Sequence, residues 1–301
     1  MIDFKKIEPE DKQWIDGLLA PAGIRSCNHN FTNLFIWSDT FNHRVARIND
    51  YLVVKGGKTG DIQRYLYPAG TGDIKPVITA MKQDAADCGH GFMLMGLLTE
   101  NVTELDMLFP GNFEFRKRRD GFDYIYLLEK LVSLPGRKLH AKRNHINYFK
   151  GNRDWRFEHI TPQNLPECRR MNDEWYVKKG YRDNKGLIDE RYAVDRCFDN
   201  FSVLGLEGGI LRSDGKIIAY TMGEILNSDT YVIHIEKAFG GIRGAYQMIN
   251  REFAYYIKHR HPHMLYVNRE DDMGSKGLRR AKLSYYPDRM VEKYTAGYIG
   301  K

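Results

Sequence analysis

Two segments half a chain apart follow one scheme. "DFKKIEPED" at Asp3 to Asp11 and "RFEHITPQN" at Arg156 to Asn164 align Phe4 with Phe157, Ile7 with Ile160 and Pro9 with Pro162. Each reads as a strand ending at a proline that opens a helix, because proline's fixed φ and missing N–H suit a first helical turn. A chain that repeats itself is expected to fold as two similar units, and this constrains the 301 residues more than their composition does.

The parallel continues downstream with a drifting offset. "VARINDYLVVKGG" around Tyr51 reads as a hairpin, and "GILRSDGKIIAYTMGEIL" around Gly215 repeats it with an Asp-Gly turn. "YLYPAGTGDIKPVITAMKQDAADCG" and "IHIEKAFGGIRGAYQMINREFAYYIKHRH" both give strand, glycine loop and helix, and "GFMLMGL" and "HMLYVNR" both give a short apolar strand after that helix. Pro and Gly interrupt the pattern in "SLPGRK", Ser133 to Lys138, placing the expected domains at residues 1–133 and 134–301. "LHAKRNHINYFKGN" then reads as a helix with Leu139, Ile146 and Phe149 on one face. The expected class is α/β (α+β), with mixed, mostly antiparallel sheets.

Hydrophobic residues at 42% and charged residues at 28% describe a soluble globular chain, and no stretch approaches a bilayer-crossing length. Acids interrupt "MIDFKKIEPEDKQW" where a signal peptide needs an apolar core, so the expected location is the cytoplasm. Cys27, Cys88, Cys168 and Cys197 show no paired spacing and read as reduced thiols. "HRHPH" at His259 to His263 reads as a helix-ending turn, and no metal is expected. The net charge of +7 and pI near 9.0 favour an anionic partner. Much of the surplus lies between Arg137 and Arg156, either as a solvated basic linker or as a binding face. A second basic run, Arg116 to Arg119, reads as surface at a turn, or as a wider nucleic-acid footprint.

The element order resembles the GNAT superfamily of N-acyltransferases, in two tandem GNAT-like copies. "DGKIIAYTMGEIL", "IHIEKAFGGIRGAYQMIN" and "NREDDMGSKGLRRAKLSYYPDRMVEKY" resemble the C-terminal soluble domain of phosphatidylglycerol lysyltransferases, and more distantly the Fem-type aminoacyltransferases. GNAT enzymes that use acyl-CoA carry a Gln/Arg-x-x-Gly-x-Gly/Ala loop whose N–H groups hold a pyrophosphate. Gly240, Gly241 and Gly244 do not fit that spacing in either register, although the loop can present N–H groups at a helix end and Arg243 adds positive charge. The alternative is a tight connection that needs glycine for φ > 0. The mismatch favours the aminoacyl-tRNA-dependent branch of the resemblance.

Aminoacyl transfer requires a nucleophile, an oxyanion stabiliser and a proton path. Strict alternation along "TYVIHIEKAF" places Tyr231, Ile233, Ile235 and Lys237 on one face and Val232, His234, Glu236 and Ala238 on the other. The resemblance puts this strand at the cleft, with Glu236 as amine-recognising group or base and Lys237 stabilising negative charge; the alternative is a strand-end ion pair. Asn268, Glu270, Asp271 and Asp272 follow the next strand, where carboxylates can bind a cationic amine or cap a helix. Arg279 and Lys282 are expected to bind phosphate, and the resemblance makes Tyr285 or Tyr286 the general acid. The first copy has no counterpart of these acids, so the working cleft is expected in the second half and at the junction.

These observations imply an acyltransferase of the lysyltransferase-like branch, moving an aminoacyl group from aminoacyl-tRNA to an amine or hydroxyl acceptor. The acceptor classes are a small molecule, a peptide or a lipid headgroup. No cofactor is assigned; aminoacyl-tRNA or acyl-CoA is the donor. The alternatives are an acyl-CoA-dependent N-acyltransferase and a non-catalytic module that binds RNA or a phosphorylated ligand.

Overall fold

A computed structural model describes residues 2–57 and 64–300. The chain runs through β1 (Lys5–Lys6), α1 (Lys12–Ala22), α2 (Phe31–Ile36), α3 (Ser38–Phe41), β2 (Arg44–Ile48), β3 (Tyr51–Gly56), β4 (Arg64–Leu66) and β5 (Ala69–Gly70). It continues through α4 (Lys75–Asp87), β6 (Met93–Leu97), α5 (Thr99–Leu108), β7 (Phe113–Lys117), β8 (Asp123–Leu127), α6 (Leu128–Ser133), α7 (His140–Asn152) and β9 (Trp155–His159). Then come α8 (Leu165–Lys178), α9 (Lys185–Asp199), α10 (Phe201–Leu204), β10 (Glu207–Ser213), β11 (Lys216–Ile225) and β12 (Thr230–Ala238). The last elements are α11 (Ala245–Arg260), β13 (Tyr266–Asn268), α12 (Lys276–Leu283), β14 (Arg289–Val291) and β15 (Tyr294–Tyr298).

Two compact units result. One comprises Met1–Asp123, Asp271–Arg279 and Met290–Lys301; the other comprises Tyr124–Glu270 and Arg280–Arg289. This division differs from the expected 1–133 and 134–301. Residues 124–133 belong to the second unit, and two later segments return to the first. The reason is hydrogen bonding: β15 inserts between β6 and β7, while β8 pairs with β13.

The first unit holds a sheet of order β1-β2-β3-β4-β6-β15-β7, with β5 paired to β3. The pairing of β4 with β6 is parallel. Its core gathers Val53, Tyr65, Ile78, Met81, Leu94 and Phe113.

The second sheet has the order β14-β8-β13-β12-β11-β10-β9. Strands β9 to β12 form an antiparallel meander, and β12 pairs with β13 in parallel. The Asp-Gly turn joins β10 to β11, with Asp214 and Gly215 both at positive φ as a two-residue hairpin loop requires. Helix α11 packs on β10 to β12, and α8 packs on β11 and β12. Consecutive residues of β12 reach these two helices: Glu236 accepts from Asn250 of α11, while Lys237 lies over Trp175 of α8. The helices therefore cover opposite faces of the sheet.

The glycine loop after β12 has two kinds of glycine. Gly244 has φ +89, and a Cβ there would fall 2.4 Å from the His145 carbonyl oxygen and 2.9 Å from Phe149 Cβ, so glycine lets α11 start against α7. Gly240 and Gly241 are not at positive φ, and nothing lies within 4 Å of where their Cβ atoms would be. Gly244→Ala is expected to lower stability by about 2–3 kcal/mol through backbone strain and overpacking. Gly241→Ala is expected to change it by less than about 0.5 kcal/mol. Urea denaturation of both variants checks the contrast.

Candidate functional site

The parallel pairing of β12 with β13 runs from Thr230 opposite Tyr266 to Val232 opposite Asn268, where it stops. From Ile233 to Ala238, β12 continues without β13 beside it, leaving an opening in the strand pairing at the end of the shorter strand. On its other side β12 stays paired to β11, but the register slips: Ile235 faces Met222, Ile233 faces Gly223, and His234 has no Cα partner. His234 is thus the extra residue of a β-bulge, a device that re-aims side chains and is common beside active sites. Gly223 allows the close approach, since a Cβ there would lie 2.1 Å from the Val232 carbonyl oxygen.

The bulge corrects the alternation expected along this strand. Tyr231 packs edge-on against Phe253 of α11, while Lys237 lies over Trp175 and Tyr176 of α8, so these two residues face opposite sides of the sheet. One extra residue between them reverses the period-2 parity. Glu236 consequently shares the α11 face with Tyr231 and points away from Lys237.

Two ion pairs bridge the opening, supplied by consecutive residues after β13. On the α11 side, Arg269 donates to Glu236 at 2.8 Å, and the other Glu236 oxygen accepts from Asn250 at 2.9 Å. On the α9 side, His234 Nδ1 lies 2.8 Å from Glu270 Oε1 and Nε2 lies 3.0 Å from Glu224 Oε1. The charges of Glu270 and Glu224 reach the buried Cys197 thiol of α9. Both ring nitrogens thus face carboxylates, an arrangement that suits the doubly protonated imidazolium. Burial alone would lower the His234 pKa, but the hydrogen bonds and charges of Glu224 and Glu270 outweigh it and raise the pKa to about 9. Glu270 itself sits at φ +56, with its N–H held by Asn268 Oδ1 at 2.7 Å and its carbonyl accepting from Tyr124 N–H at 3.2 Å. A non-glycine residue held in that conformation is strained, as residues at functional sites often are.

Aromatic rings and further cations complete the α11 side. Arg269 lies 5.1 Å from the centre of the Tyr285 ring, and the Lys142 ammonium lies 4.2 Å from it on α7. Burial raises the Tyr285 pKa against the opposing charge of Arg269, so the phenol keeps its proton at neutral pH. Burial also lowers the Lys142 pKa, helped by the charge of Arg269. Lys142 donates to Ser284 Oγ at 2.7 Å.

Several residues expected at the site serve elsewhere. Lys237 is buried, donates to Glu190 at 2.7 Å and has its pKa lowered, chiefly by burial, on the face opposite Glu236. Lys282 is buried and donates to the Arg269 carbonyl, so it steadies the turn rather than presenting charge to a phosphate. Asp271, Asp272 and Arg279 belong to the first unit. There Asp272 is fully buried, receives the Arg279 guanidinium through both carboxylate oxygens and accepts from Gly274 N–H. Asp271 accepts from Met273 N–H, so both aspartates shape the turn. Arg243 is exposed and lies 4.2 Å from the centre of the Tyr148 ring, beside the open Gly240 and Gly241.

His234 and Glu224 were absent from the sequence-derived site, as were the partners Asn250 and Lys142. His234 stands two residues before Glu236, which was a signal. Its pairing with Glu224 depends on the bulge, which no short pattern announced.

A parallel strand pair that parts at a bulged neighbour, repeated element orders and two mixed sheets define an acyltransferase fold of two tandem GNAT-like units. The family model described as phosphatidylglycerol lysyltransferase, C-terminal, matches residues 20–297, and the chain belongs to that family. A conserved protein of unknown function from Bacteroides thetaiotaomicron is 39% identical, with 99% of this chain and 100% of that one covered at a TM-score of 0.93. L-PGS from Bacillus licheniformis is 19% identical, with 99% and 94% covered at 0.67. A tandem GNAT protein from the clavulanic acid biosynthesis pathway is 12% identical, with 99% and 98% covered at 0.52. The uncharacterized protein MYCGA3080 of Mycoplasmoides gallisepticum is 22% identical over 186 residues, a match spanning 59% of this chain and 56% of that relative. Among the described residues, no helix is long and apolar enough to cross a membrane.

The raised pKa of His234 makes stability depend on pH with a definite sign. The folded protein binds the proton more tightly than the unfolded chain, so the contribution is complete below the ordinary histidine value of 6.5 and is lost as pH rises through about 9. The stability difference between the native chain and His234→Gln is expected to shrink across pH 6.5 to 9, measured by urea midpoints at each pH.

Proposed function

We propose that the chain transfers an aminoacyl group from aminoacyl-tRNA to an amine or hydroxyl acceptor, directly within a ternary complex and without a covalent enzyme intermediate. The observation that carries this reading is the opening between β12 and β13, bridged by Glu236–Arg269 and His234–Glu270, in a chain of the lysyltransferase C-terminal family. The acceptor attacks the ester carbonyl and gives its proton to the Glu270 carboxylate, which His234 and Asn268 hold in place. Arg269, oriented by Glu236, and Lys142 stabilise the charge that develops on the carbonyl oxygen. Tyr285 passes its proton to the departing ribose oxygen, a step that suits a phenol held protonated by burial. Arg269 and Lys142 thereby take the part first assigned to Lys237.

The donor's phosphates lie at the loop before α11. Gly240 and Gly241 leave space that the surrounding protein does not fill, and Arg243 stands beside them. Helix α11 starts at Gly244 without a side-chain cap, so its positive dipole end is available to an anion.

The test incubates purified protein with a labelled aminoacyl-tRNA pool and a panel of amines, peptides and phospholipid vesicles. The expected result is selective retention of charged over uncharged tRNA and transfer of label to one acceptor class. Glu270→Gln and Tyr285→Phe are each expected to reduce that transfer about 10²- to 10⁴-fold, with Tyr285→Phe keeping the native melting temperature and Glu270→Gln lowering it through loss of the His234 pair. Equal retention of charged and uncharged tRNA, together with acyl-CoA protection against heat, would overturn the reading in favour of an acyl-CoA donor.

A further inference from the structure

A second cluster of reactive groups lies inside the first unit, on residues that the transfer reaction does not use. Asp123, Lys293 and Cys27 are 0%, 4% and 4% exposed. Asp123 Oδ2 accepts from the Cys27 N–H at 2.8 Å, and Oδ1 accepts from the Cys27 thiol at 3.1 Å and from the Lys293 ammonium at 2.6 Å. The Lys293 nitrogen is also 3.5 Å from the Cys27 sulfur, a direct contact between residues 266 apart in sequence. Asn33 donates to the Cys27 carbonyl and holds the loop that carries the thiol.

The buried Asp123–Lys293 pair accounts for the position of the loop, but it does not require sulfur. A hydroxyl would donate to Asp123 more strongly, and an alanine would leave the backbone N–H bond intact. What the thiol adds is oxidation chemistry, placed against an amine that cannot move away.

We propose that Cys27 and Lys293 form a redox-sensitive covalent link in which one oxygen atom joins sulfur to nitrogen. Dioxygen is the oxidant. The S–H bond and two ammonium N–H bonds are lost, S–O and O–N bonds form, the O–O bond breaks, and the second oxygen leaves as water. Sulfur and nitrogen each give up two electrons, four in all, and one proton is left over. That proton goes to Asp123, whose cationic partner has become neutral, so a buried ion pair is exchanged for two uncharged groups. The Lys293 pKa is raised by Asp123 against burial, so the amine is protonated until this transfer. The link fastens the loop before α2 to the residue just before β15. That loop also carries His29, whose ring bonds the Tyr67 carbonyl just after β4.

The experiment uses the full chain carrying Cys88→Ser, which removes the exposed thiol. The protein is held in air-saturated buffer, with a parallel sample under hydrogen peroxide, and accurate intact mass and peptide maps are recorded before and after dithiothreitol. The expected result is a gain of one oxygen less two hydrogens, a cross-linked peptide joining Cys27 to Lys293, loss of tryptic cleavage after Lys293, and reversal of all three by the reductant. Cys27→Ser and the charge-preserving Lys293→Arg are each expected to abolish the gain completely. A Cys27 that still titrates as a thiol after oxidation, or oxygens confined to Cys27 without a cross-link, would overturn the proposal.

Discussion

The placement of charge in the second unit depends on one extra residue. With strict pairing, β12 would carry Tyr231 and Lys237 on one face and His234 and Glu236 on the other. The bulge at His234 changes this. Glu236 turns toward α11, while His234 turns toward Glu224 and Glu270 on the side of α9. Because β13 ends at Asn268, the next two residues fall to alternate sides, and Arg269 and Glu270 each find a partner of opposite sign. Strand parity and bulge together produce one ion pair on each side of a single opening.

Such pairs are weak evidence for stability. Taking charges out of water carries a penalty of several kcal/mol per ion, and apolar replacements of equal volume are often as stable. Their presence where two strands part is better explained by what they hold. Glu236 fixes a guanidinium beside a protonated phenol, and His234 fixes a carboxylate on a strained backbone. These groups are held in fixed orientation by their partners, the preorganisation that the proposed transfer requires.

The repeated order of elements was legible in the sequence because it is written in local signals: a proline after Phe4 and Phe157, an Asp-Gly turn, and short apolar runs of strand length. Glu236, Asn268, Glu270 and Tyr285 could be singled out because they flank those signals; the structure sets Glu236 and Tyr285 beside Arg269, and Glu270 beside Asn268 and His234. Faces were less legible. Period-2 reasoning assumes an unbroken ladder, and the bulge at His234 depends on close backbone approach at Gly223, a feature of the partner strand. The division into units was also hidden, since Ile125, Tyr126 and Leu127 stand before the expected boundary at Ser133, while their strand partners are Asn268, Val267 and Tyr266. Acids clustered in "NREDD" looked equivalent, yet Glu270 serves the opening and Asp272 closes a turn around Arg279.

The reciprocal placement of β8 and β15 bears on how the chain is made. A ribosome delivers β6 and β7 early, but the strand that lies between them emerges only after every strand of the second sheet. Until then β6 has an open edge and β7 lacks the strand it pairs with, and such edges are templates for wrong partners. The first unit therefore completes its folding after the second is fully synthesised, although it is begun first. Truncation at residue 133 would leave a sheet missing an interior strand rather than a smaller domain.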